Sequence, residues 1–136
     1  MRFLSNQGGA SAVEFAILLP AFLTIIFGIV VFGSYLTMVH GVQQLAAEAA
    51  RTSIAGLTNS ERNNLATSYV TTNVAGYPLL EPAKVNVIAA PSGSDPNVYV
   101  VTVQYDASSN FIFTLPFTPP MPFPITRSAV IPYGGF

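Results

Sequence analysis

The chain has 136 residues and a net charge of -1, with only 8% charged and 51% apolar residues. An ordinary soluble domain is about a quarter charged, so much of this surface is expected to meet something other than water. The lack of a basic patch removes any electrostatic case for nucleic acid. The absence of cysteine removes both disulfides and thiolate zinc sites.

A polar leader with one positive side chain, Arg2, ends in Gly8-Gly9, and Ala10-Ser11-Ala12-Val13-Glu14 opens an uncharged run from Phe15 to Val39. Those 25 residues reach roughly 37 Å as a helix at about 1.5 Å per residue, more than a hydrocarbon core of about 30 Å. A secretory signal has a shorter apolar region with the cut after it, whereas the small-residue junction here lies before it. Arg2 precedes the segment and no Lys or Arg follows until Arg51, which places the N-terminus in the cytoplasm and the rest beyond the membrane. A carboxylate at the edge of such a segment is costly. Cleavage after Gly9 would give Glu14 a nearby α-amine at Ala10 to neutralise it, within one subunit or between neighbours.

Within the run, Pro20 removes one helical hydrogen bond and crowds the carbonyl of Ala16, so a kink is expected there. Gly28 and Gly33 are spaced by five, which departs from the Gly-x-x-x-Gly pairing motif and reads as tolerated glycine. Beyond the membrane Val42, Leu45, Ala46, Ala49 and Ser53 or Ile54 recur at three and four, opposite Gln44, Glu48, Arg51 and Thr52. The helix therefore continues as an amphipathic stretch, with Gly56 as its stop. Thr58 and Glu61 form a capping box for a second helix running to about Asn73, with Leu65, Ser68, Tyr69 and Thr72 expected inside and Gly76-Tyr77-Pro78 ending it.

Strand patterns follow. Lys84 to Ala90 and Val98 to Asp106 flank the loop Pro91 to Asn97 as a hairpin, with Tyr99, Val101, Val103 and Tyr105 on one face. Phe111, Phe113 and Leu115 suggest a third strand. Ile125 to Ile131 suggests a fourth, with Arg127 on the side of Ile125 and Ala129. The segment Pro116 to Pro124 has too many prolines for a strand and is expected as an extended surface loop. Its Phe117, Met121 and Phe123 are candidate partner contacts, because a stiff apolar loop loses little entropy on docking.

No polar constellation points to catalysis. His40 is the only histidine and reads as an interfacial residue where the helix leaves the membrane; Asp95 and Asp106 read as turn residues. No metal, cofactor or phosphate-binding loop is expected.

Several stretches resemble a known family: Gly9-Ala10, Ala12-Val13-Glu14-Phe15-Ala16, Leu18-Leu19-Pro20, Phe27-Gly28-Ile29-Val30, Phe32-Gly33 and the Ala-rich Leu45 to Arg51. They resemble the type IV pilin superfamily and, more narrowly, the TadE-like proteins of the Tad (Flp) pilus system, over roughly the first 55 residues. The resemblance implies a minor pilin or pseudopilin, not an enzyme, cut by a prepilin peptidase between Gly9 and Ala10. Glu14 would be its assembly carboxylate, and Phe15, Pro20, Gly28 and Gly33 would lie in the membrane helix. It further implies partnership with other pilins and pseudopilins, the pilus assembly platform and membrane lipid, an inner-membrane precursor, and a role in adhesion or secretion. The head is larger than that of a major Flp pilin, which favours a minor or tip position. The alternative is an uncleaved single-pass envelope protein whose head is a binding module. The expected architecture is α+β: leader 1–9, transmembrane helix 10–39, amphipathic continuation 40–56, and a head 57–136 with a short second helix and a small antiparallel sheet.

Overall fold

The computed structural model describes residues 7–133; Arg2, on which the expected orientation rests, lies outside them. A single helix, α1, runs from Gln7 to Ser53, and α2 runs from Asn59 to Asn73. Three strands, β1 (Val85–Pro91), β2 (Val98–Tyr105) and β3 (Ile125–Pro132), form one antiparallel sheet in the order β1-β2-β3. The α+β reading holds.

α1 is the one helix among the described residues long and apolar enough to cross a membrane, which makes it a single membrane-anchoring segment. It passes Pro20 without interruption, and the Thr24 hydroxyl donates to the Pro20 carbonyl at 2.8 Å. Its first half is bare: Phe15, Ile17, Leu18, Phe22, Ile25 and Ile29 are all more than half exposed. From Val31 onward one face is covered, through Met38, Val42, Leu45, Ala46, Ala49 and Ser53. The expected stripe is therefore the buried one, except that Ile54 lies past the helix end and is exposed. The Glu48–Arg51 pair forms at 3.2 Å on the exposed side, where it contributes a few tenths of a kcal/mol.

The link from α1 to α2 is tight. The Thr58 hydroxyl accepts from Glu61 N at 3.1 Å, and Glu61 Oε2 accepts in return from Thr58 N at 3.2 Å and Leu57 N at 2.7 Å. This is the expected capping box, satisfying donors that the first helical turn leaves open. The inner stripe of α2 differs from expectation. Ala66 and Val70 are buried, followed by Val74, while Ser68 and Thr72 are exposed and Leu65 and Tyr69 are half-buried. With few apolar residues, α2 has no strong face of its own; the small Ala66 faces its neighbours where α2 packs against α1 and β1.

The sheet presents Tyr99, Val101, Val103 and Tyr105 inward, every one buried. They pair with Ile131, Ala129, Arg127 and Ile125 of β3 and, from Val101 on, with Ala89, Val87 and Val85 of β1. Arg127 thus shares the inner side with Ile125 and Ala129, as the alternation predicts, and remains half-buried on the edge strand. α1 covers β2 and β3, and α2 covers β1. At Gly41 the segment between α2 and β1 comes close to α1, since a Cβ there would lie 3.1 Å from Leu80 Cδ1 and 3.4 Å from Tyr77 Cδ1.

The strand expected over Phe111 to Leu115 does not exist. Phe111–Thr114 is a 3-10 turn, because Asn110 offers its side chain to Ile112 N at 3.1 Å and its carbonyl to Phe113 N at 3.0 Å. Those local bonds compete with any ladder. Phe113 turns toward α1, its ring edge-on to Tyr35 at 6.4 Å and to Phe123 at 5.0 Å.

Candidate functional site

The residues expected to matter for processing lie at the start of α1. Gln7 to Ala10 are helical, so the Gly9–Ala10 bond lies within α1, close to the first of the described residues. Gly8 and Gly9 each weaken the helix there by roughly 1 kcal/mol relative to alanine. Ser11 Oγ donates to Gln7 O at 3.2 Å. Glu14 follows Ala10 by four residues, which places both on one helix face a single turn apart. Its side chain is exposed, and among the described residues no cation lies within ion-pair distance. Phe15 and Pro20 are exposed on the bare half of α1, Gly28 there is half-exposed, Gly33 is exposed just beyond it, and a Cβ at Gly28 or Gly33 would meet nothing within 4 Å. Both therefore leave room for a neighbouring helix.

Among the described residues no group of three His, Cys, Asp or Glu could hold a metal. His40 is exposed on α1. Asp95 accepts from Asn97 N at 2.9 Å and Asp106 from Ser108 N at 3.0 Å, so both close turns. The bonds from Ser108 hold the Asp106 carboxyl below its usual value. A shallow cleft lined by Lys84, Asn86, Gln104, Asp106, Ser108, Phe123 and Pro124 lies at this end of the sheet.

Of the loop residues, Phe117 is 63% exposed, Met121 is half-buried, and Phe123 packs its ring against Tyr35 at 6.3 Å. Phe123 thus holds the loop to α1, while Phe117 remains free for contact. Two polar contacts had no sequence signal. The Arg62 guanidinium stacks on Tyr133 at 4.1 Å from the ring centre, while the Tyr99 hydroxyl donates to Asn63 Oδ1 at 2.9 Å. At the opposite end of β2 the Tyr105 hydroxyl donates to Leu79 O at 3.1 Å. Burial raises both phenols above 10.0.

The apolar span, the small-residue junction and the Glu14 carboxylate all fall in one stretch of α1, and that stretch is the part that matches a known family model. Residues 9–51 match the family model described as TadE-like protein. No curated protein and no solved structure matches the chain. The TadE-like segment begins at the glycine expected to be cut and ends two residues before α1 does. It contains both the bare half of the helix and the half that forms one wall of the head.

Proposed function

We propose that this protein is a minor pilin or pseudopilin of a Tad-type pilus, made as an inner-membrane precursor, cut after Gly9 and then incorporated through α1. The observation that carries the reading is the position of Glu14: one turn beyond Ala10, exposed, and inside the TadE-like match. Cleavage would create an ammonium one turn from the carboxylate, or available to the carboxylate of an adjacent subunit. At about 4 Å and an effective dielectric near 20 such a pair is worth about 4 kcal/mol, comparable to the ~2.5–3.5 kcal/mol for a charge at the centre of a membrane helix. The bare half of α1 would exchange lipid for the helices of other pilins, and the head would remain outside. The prepilin peptidase and the assembly platform are its partners in this reading, and attachment or secretion is its output.

Mass spectrometry of the chain from cells with an active prepilin peptidase tests this. The expected product has 127 residues, the 136 of the precursor less the first nine, and begins at Ala10; a Gly9→Ala precursor remains uncut. An intact Met1 on the wild type refutes processing and leaves a permanently anchored envelope protein.

A further inference from the structure

The bare part of α1 is shorter than the apolar run. With Glu14 at one edge of the apolar layer, Phe15 to Val30 covers about 24 Å at about 1.5 Å per residue, against a hydrocarbon core of about 30 Å. The missing ~6 Å corresponds to the next turn of α1, Val31 to Ser34. Val31 is already fully buried and Tyr35 already carries the rings of Phe113 and Phe123. The base of the head therefore lies at the level where the acyl chains should end.

The segment at that level is suited to it. From Ala107 to Thr126 there is no charged residue. Its tip is a turn in which Leu115 O accepts from Thr118 N at 3.3 Å and from Thr118 Oγ1 at 2.6 Å. Pro116 takes the second position. Phe117 takes the third with φ +63, where glycine or asparagine is the usual residue. A bulky side chain in the left-handed region is strained. Here the ring is also 63% exposed, so no packing within the chain offsets that strain. Asp106 and Arg127 bound the uncharged segment in sequence, and Lys84 and Asp106 line the cleft beside Phe123 and Pro124, so entry of the loop into a bilayer would bring these charges to the headgroups.

We propose that the Phe111–Pro124 loop is a lipid-contacting collar, with Phe117 inserted at the membrane interface beside the emerging α1 when the full chain sits in a bilayer. The collar completes the apolar thickness that the bare helix leaves short and fixes the tilt of the head. It rests on α1 as the membrane anchor and is independent of any cut at Gly9.

The chain has no tryptophan, so Phe117→Trp in the full chain is a single reporter, and Leu57→Trp, beyond the far end of α1, is its control. In phosphatidylcholine–phosphatidylglycerol vesicles brominated on the upper acyl carbons, Trp at 117 should emit at shorter wavelength and be quenched several-fold more than Trp at 57. On the unaltered chain, a phospholipid with a diazirine tail should label the peptide from Ser108 to Arg127 as well as α1. Phe117→Gly, which the positive φ accommodates, should lose that label while keeping its tyrosine circular dichroism. Equal quenching at 117 and 57, or label confined to α1 in protein that floats with the vesicles, overturns the collar and leaves the anchor standing. Failure to float overturns both.

Discussion

The two ends of α2 offer a sharp test, because the glycines flanking it, Gly56 and Gly76, should respond to alanine with opposite sign. A Cβ at Gly56 would lie 2.7 Å from Arg62 N, 2.8 Å from Arg62 Cγ and 3.1 Å from Arg62 Cα. Cγ can swing aside, but N and Cα belong to the first turn of α2, where Arg62 N donates to Thr58 O at 3.0 Å. Restoring ordinary contact requires that turn to move by about 0.7 Å, which strains the capping box and the Arg62–Tyr133 stack; overpacking of this kind costs about 1–3 kcal/mol. The loss of unfolded-state freedom offsets about 0.4–1 kcal/mol, leaving Gly56→Ala about 1–2 kcal/mol less stable. A Cβ at Gly76 meets nothing within 4 Å, so Gly76→Ala retains only the entropic gain of about 0.4–1 kcal/mol. At about 4–8 °C per kcal/mol for a head of this size, the first variant should melt about 5–15 °C below wild type and the second a few degrees above. Near-ultraviolet circular dichroism of the tyrosines, with the full chain in mild detergent, reads the head, because of the 6 tyrosines only Tyr35 lies on α1 and it packs against Phe113 and Phe123. Shifts of equal size and sign would show that the close approach at Gly56 is not a constraint.

In the proposed reading only assembly needs the carboxylate, so Glu14→Leu should leave insertion unchanged while reducing recovery in sheared pili; equal recovery refutes that role. A fragment beginning at Tyr35 should unfold cooperatively, whereas one beginning at Leu57 loses Met38, Val42, Leu45, Ala46 and Ala49 from the core. Truncating one large core residue typically costs ~2–5 kcal/mol of a total near 5–15, so the shorter fragment should show no cooperative transition by circular dichroism. The pH dependence has a definite sign. Burial raises the folded-state phenols of Tyr99 and Tyr105 above 10.0, so the fold holds their protons longer than the unfolded chain does. Their contribution is fully present below the unfolded value and is lost as pH rises through it toward the folded values. The urea midpoint of the head should therefore fall as pH climbs past about 10, together with the tyrosinate absorbance; a midpoint flat through that range contradicts the burial argument.

The features legible in the sequence are those decided by neighbours along the chain. Thr58 and Glu61 cap α2 because hydroxyl and carboxylate reach amides three residues away. Tyr99, Val101, Val103 and Tyr105 share a face because a pleated strand alternates whatever it packs against. The TadE-like stretch was readable for the same reason, being a linear pattern on one helix. Three things needed the tertiary structure. α2 is too polar to declare its own inner side, so its contacts with α1 and β1 chose Ala66 and Val70 over Ser68 and Thr72. Phe111 to Leu115 has strand-like alternation, but the Asn110 bonds and the pull of Phe113 toward Tyr35 and Phe123 won. The third is the level at which α1 passes from bare helix to head. From Phe15 to Val39 the helix is uncharged throughout, and such a surface is equally satisfied by acyl chains, by another helix or by a sheet. Only the fold, by burying Val31 and stacking two phenylalanines on Tyr35, marks where protein begins to cover it.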